Sequence, residues 1–440
     1  YLGHRAQGDV TQTGGLVAVG GEMRIGSAAA GSGTVDLSGG TMNVGGNLSV
    51  GYADGATGAL VEVSGSGVLN AGAELSVAEA TDGSIVQTGG KVNVAGNLFI
   101  GDGAAGDDGL YDISAGTLNV TGETRVNNTG ASLGTMAVSG TGVVNAADLV
   151  VGDNGTGTMT VSGTSEVNAS EVRVGDVGMG TLTASGGSLN LDELIVGYEA
   201  GGIGTMGISG TAVVAASGNV TVGRSGTGRL EQSGGELTFG GRLNGGSSTD
   251  SIGSVAMSGG DMTAGVMEFI GSYDEGVFTQ TGGTNTMPVL VVGSLGKYDY
   301  LGGTLIITSG LSVFPAGVLD LQGPALSMDF SSGDSIVELS GTILNGGNDS
   351  LTQGGGLLIV SSLSNIGDEF GTFSSTAITH LAGTDLVLGT GEGFGGIGVI
   401  NDHVITDGGD IIANAGGFIE LNGGLTQVGG TVDLGDGALI

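Results

Sequence analysis

A serine or threonine recurs immediately before glycine, or one residue before it at Ser114, through the first two thirds of the chain. Its positions are Thr13, Ser38, Ser64, Thr88, Ser114, Ser139, Ser162, Ser185, Ser209, Ser233, Ser258 and Thr281, spaced 23 to 26 residues apart. A sustained period of this length is the mark of a stacked repeat. Each unit is too small to bury its apolar face alone and depends on its neighbours. The 440 residues are therefore read as rungs of one repeating architecture and not as two or three globular domains.

The clearest unit, GTLTASGGSLNLDELIVG from Gly180 to Gly197, contains three short strands. Before the serine, apolar residues alternate with polar or small ones, as in Val35 and Leu37 around Asp36 or Val61 and Val63 around Glu62. After the glycines, Val92 and Val94 flank Asn93, and Leu189 and Leu191 flank Asn190. A third run ends in Val-Gly or Ile-Gly, as in Leu98-Phe99-Ile100-Gly101. Period-two alternation belongs to strands with one buried face. The expected fold is therefore all-β: a parallel β-solenoid (β-helix) with about 24 residues and three short strands per rung. It should run as about twelve regular rungs over residues 1–305, followed by an irregular β-solenoid continuation over 306–440. The 99 glycines fit the sharp corners such a rung needs, because glycine adopts left-handed conformations without a Cβ penalty.

Composition narrows the function. Forty-four acidic against nine basic residues leave a net charge of −35, which opposes nucleic acid and anionic membranes as partners. No apolar stretch is long enough for a membrane-spanning helix, so no membrane insertion is expected, and the absence of cysteine excludes disulfides and thiolate metal sites. The chain opens at Tyr1 without methionine or a signal-like segment, which reads as a processed mature form or a fragment.

The pattern GTLTxSGGxLNxxxLxVG, clear from about residue 11 to 305, resembles the glycine-rich repeats of secreted bacterial β-solenoids. Autotransporter passengers and the repeats of exosortase-sorted (PEP-CTERM) surface proteins are the nearest comparison. The resemblance implies a solenoid fold and a secreted, extracellular or cell-surface address in bacteria. The chain shows neither the outer-membrane barrel nor the sorting tag of those groups.

Four sets of residues carry functional expectations. Asn43, Asn70, Asn93, Asn119, Asn145, Asn168 and Asn190 recur at one rung position and should form a structural amide ladder along the axis. Asp102, Asn128, Asp153 and Asp176 follow the Val-Gly corner in successive rungs. They form a solvated turn row or, bridged by hard cations, a calcium site. Phe99, Val150, Ile195 and Val291, outward on the third strand, offer an apolar stripe for lateral contact. No catalytic constellation is expected: His4, His380 and His403 lie far apart, lysine occurs only at 91 and 297, and Arg173, Arg224, Arg229 and Arg242 fall at unlike rung positions. Asp192-Glu193 reads as an exposed turn.

No cofactor is implied apart from calcium. The leading expectation is an extracellular structural protein, not an enzyme, whose solenoid ends join copies of itself head to tail into a filament, sheath or surface layer. A passenger or stalk fragment of a bacterial adhesin is the second expectation. A glycan- or calcium-binding surface module is the third, with no particular glycan indicated.

Overall fold

The computed structural model describes residues 1–440 except 55, 57, 104–105, 131, 361–369, 376–378, 381–384, 391–392, 396–397, 401–402, 413–417, 434–437 and 440. The alternating segments form strands, and among the described residues these pair in parallel with the equivalent strand one rung away, as in Ser32–Val44 with Ala59–Val63 or Thr156–Val161 with Met179–Ala184. The result is an all-β parallel β-solenoid of about 16 turns at a spacing of about 24 residues. Among the described residues the one helical element is a 3₁₀ turn, Gly346–Asn348.

The chain divides into two compact units, Tyr1–Phe239 with Asp250–Ile252, and Gly240–Thr249 with Gly253–Ile440. In the first, a core file runs Val35, Val61, Ile85, Tyr111, Met136, Met159, Leu182, Met206, Leu230, each in register with the next. All nine are buried. The second strand adds Met42, Leu69, Val92, Leu118, Val144, Val167, Leu189, Val214 and Leu237, likewise buried. Outward residues lie between these inward ones, as the alternation requires.

The three strands per rung are not always separate. In Ser32–Val44, Gly83–Val94 and Asp108–Val120 the first two run together as one bent strand, whereas in Glu166–Val174 and Ser188–Val196 the second and third do. The bend in the first group sits at glycines with positive φ, such as Gly40 and Gly116, which turn the chain while pairing continues on both sides.

In the second unit, pairing continues past residue 305 from Thr284–Val292 through Thr304–Val313 to Ser327–Leu339. What changes there is rung length, from 26 residues between Gly310 and Ile336 to 20 between Phe418 and Ala438. Phe278 and Tyr298 pair in register and stack inside this core with ring centroids 4.6 Å apart.

The corner after the third strand carries the strictest demand on the backbone. Gly175 has φ +70°, and a Cβ there would lie 2.3 Å from the backbone of Ile203. Two rungs break the rule: Ala78 takes φ 62° and Asn127 φ 67° at the corner where other rungs of the stack place Gly51, Gly101 and Gly152. A left-handed conformation costs an L-residue about 1–2 kcal/mol. Gly175→Ala should therefore lower the thermal midpoint by the equivalent of at least about 1–2 kcal/mol. Ala78→Gly should raise it slightly, the relieved strain outweighing the added chain entropy of about 0.5–1 kcal/mol. Thermal denaturation followed by circular dichroism reads both, and shifts of the same sign would refute the assignment of the corner.

Candidate functional site

The seven asparagines stand at one outward position of the second strand, held in register by the apolar residues beside them. Neighbouring rungs lie about 4.8 Å apart, which suits an amide reaching from one to the next. Each Nδ2 donates to the Oδ1 of the preceding rung: Asn70 to Asn43 and Asn93 to Asn70 at 2.7 Å, Asn119 to Asn93 at 2.8 Å. Asn145 to Asn119, Asn168 to Asn145 and Asn190 to Asn168 follow at 2.9 Å. The ladder stops where alanine takes the position, Ala18 beside Asn43 and Ala215 beside Asn190. An open groove of about 560 Å³ runs along the last three ladder residues, Asn145, Asn168 and Asn190, and on to Ala215.

The row after the corner is also continuous, and arginine side chains bridge it. Asn128 Nδ2 donates to Asp102 Oδ1 at 2.6 Å, and Arg125 Nη1 donates to Asn128 Oδ1 at 3.1 Å and to Asp153 Oδ2 at 2.8 Å. Arg173 Nη1 lies 3.6 Å from Asp176 Oδ2, and its Nε donates to Glu171. Burial pushes the Asp102 carboxyl above its ordinary value against the pull of Asn128 and Arg125. Burial also raises Asp176 to about 6, opposed by Arg173 and reinforced by the like charge of Asp153. Guanidinium groups thus supply positive charge along this row. Among the described residues no group of three or more His, Cys, Asp or Glu is placed to hold a metal ion.

The lateral apolar stripe requires correction. Val150 and Ile195 are 1% exposed and Val291 7%, so only the half-buried Phe99 retains appreciable surface. Val150 stands in register between Arg125 and Arg173, and Ile195 between Arg173 and Thr221. At rung spacing the long aliphatic stems of arginine cover the smaller side chain beside them. The basic residues also converge more than their sequence positions suggested. Arg173 and Arg224 approach the Tyr198 ring, at 4.7 and 4.3 Å from its centroid, and Arg24 lies 4.0 Å from that of Tyr52. Asp192-Glu193, expected in a turn, lies within the strand Ser188–Val196.

Two buried polar features escaped the reading of the sequence. Gln12, Gln87, Gln232 and Gln280 point into the core just before the turn, in a recurrent Gln-Ser/Thr-Gly-Gly motif, where most rungs have an aliphatic residue. The Nε2 of Gln87 donates to the Thr117 carbonyl at 3.1 Å, and that of Gln280 to the Thr304 carbonyl at 2.9 Å. The repeated motif was the available signal.

The second feature is Glu268, fully buried between Leu243 and Leu290 in register. Asn285 Nδ2 donates to Glu268 Oε2 and approaches the Tyr298 hydroxyl, both at 3.0 Å, and that hydroxyl donates to Gln280 Oε1 at 3.0 Å. Burial raises Glu268 to about 8. Its Oε1 and the Oδ1 of Asn285 have no partner among the described residues, a combination the neutral acid relieves because its hydroxyl is a donor.

No family model and no solved structure matches the chain. A curated protein does. The chain is similar to the "Adhesin BmaC autotransporter" of Brucella suis biovar 1 (strain 1330), 29% identical over 215 residues. The alignment takes in 43% of this chain and 6% of that protein, so the chain spans a small fraction of the relative's length.

Two outcomes follow from the polar geometry. Asn93→Ala removes two ladder bonds and Asn190→Ala one, at about 1 kcal/mol each, so urea denaturation should show the internal variant about twice as destabilised. Equal effects would deny the ladder a part in stability. For Glu268 the raised value means that the folded state favours the protonated form. Its contribution is complete below the unfolded pKa of about 4.3, falls as the pH rises through about 8, and is constant above that. Relative to Glu268→Gln, the wild-type midpoint should decline between about pH 4.5 and 8 and run parallel beyond. A pH-independent difference would place the carboxyl in water.

Proposed function

We propose that the chain is a surface-exposed segment of a bacterial adhesin-type protein, a β-solenoid passenger or stalk that holds binding surface away from the cell. The observation that carries this reading is the similarity to the autotransporter adhesin, taken with a parallel solenoid of about 16 turns. In such a stack each rung is stabilised chiefly by its neighbours, so length is gained by repetition without a larger core. The net charge of −35 keeps a protein of this kind soluble and turns it away from anionic lipid. Among the described residues no helix is long and apolar enough to cross a membrane. The reading calls for no catalysis. Head-to-tail assembly into a filament or sheath needs contacts between solenoid ends, and no observation favours it over the stalk.

Antibodies raised against the purified chain should label intact cells of the source bacterium, and protease added outside should remove the label. The same antibodies should reduce attachment of those cells to host surfaces. Labelling only after lysis would overturn the reading, and long filaments in negative-stain images of the purified chain would favour polymerisation instead.

A further inference from the structure

We infer that the groove at the Asn190 end of the amide ladder is a carbohydrate-binding site for a neutral or amino-sugar residue. The inference deepens the adhesin reading and rests on it for the source of the sugar, a cell-surface glycan.

The groove follows the last three asparagines of the ladder, Asn145, Asn168 and Asn190, and continues past its end to Ala215 and Ala216. Ala215 and Ala216 stand in register between Asn190 and Leu191 on one side and Thr238 and Phe239 on the other. One rung of small side chains therefore lies between rungs of larger ones. Alanine is poorly suited to strands, and register alone would be served by another asparagine. The whole groove from Asn145 to Ser217, of which this step is one end, has a volume of about 560 Å³, within the range of about 300–1,000 Å³ usual for small-molecule sites.

The polar groups at its edge are mostly acceptors. All six ladder bonds point the same way, each Nδ2 donating toward the lower-numbered rung. Hydrogen bonds in such a chain polarise one another, so acceptor strength accumulates at the Oδ1 of Asn190, which faces Ala215. Two residues along the same exposed face, about 7 Å away by strand geometry, Asp192 accepts the Ser217 hydroxyl at 2.8 Å through Oδ1, leaving Oδ2 for a ligand. A carboxylate and a polarised amide oxygen a pyranose width apart, above a floor of alanine methyl groups, match the hydroxyls and the C–H face of a sugar. Asp192 and the net charge of −35 repel acidic sugars and favour neutral or cationic ones. A site this open holds one sugar with about millimolar affinity, and attachment would draw on many copies at the cell surface.

Saturation-transfer NMR of the full chain with N-acetylglucosamine, glucosamine, galactose and mannose tests this, with N-acetylneuraminate as the acidic control. At least one of the four sugars should bind and the control should not. Ala215→Asn should extend the ladder by one rung and fill the recess. It should keep or raise the thermal midpoint and weaken binding at least 10-fold. Asn190→Ala, which leaves the recess open, should also weaken binding and guards against misfolding of the first variant. No transfer to any of the four sugars, undiminished transfer with a folded Ala215→Asn variant, or preferential binding of the acidic control would overturn the site. Surface labelling of cells would stand unaffected by any of these, whereas sugar binding without surface labelling would remove the adhesin reading and keep the site.

Discussion

Parallel pairing in register sets one condition on everything else: whatever occupies a rung position meets the same position of the next rung about 4.8 Å away. Apolar side chains gain from this, since each stacks on another in the buried files of Val, Leu, Ile and Met. Asparagine gains as well, because an amide carries both donor and acceptor and can pass a hydrogen bond from rung to rung. Carboxylates lose, because a file of them is a file of like charges. The corner row answers that repulsion within the chain, with Asn128 between Asp102 and Asp153 and with Arg125 and Arg173 laid across.

The same condition explains how few basic residues are enough. The seven arginines of a chain with net charge −35 include three, at 24, 125 and 173, on the outward side of the third strand. There they pair with acids two residues away and two of them meet tyrosines. Val150 lies in register between Arg125 and Arg173, and Ile195 beside Arg173, so residues that look exposed in sequence are flanked by long polar-tipped side chains. The groove along the last asparagines of the ladder, ending at the alanine step, gives the adhesin reading a place where recognition can occur.

Polar groups inside the core follow a different logic. Gln87 and Gln280 are tolerated because each hydrogen-bonds a backbone carbonyl one rung away. Glu268 is tolerated because Asn285, Tyr298 and Gln280 form a connected set around it. A buried acid of this kind is held neutral by its surroundings, so part of the second unit's stability varies with pH while the aliphatic stack around it does not.

The sequence by itself determined the period, the parallel stacking, the inward files and the alignment of the seven asparagines, because a two-residue alternation repeated every 23 to 26 residues admits one way of burying its apolar face. It also contains the recurrent Gln-Ser/Thr-Gly-Gly motif that marks the buried glutamines. Only the tertiary structure decided which outward residues are exposed. Burial of Val150 depends on Arg125 and Arg173, each more than twenty residues away along the chain, and on how their flexible side chains lie. The direction of the amide ladder, the meeting of Arg173 and Arg224 on Tyr198, and the recess at Ala215 likewise arise from neighbours along the axis. A single rung contains none of these relations, and stacking creates them all.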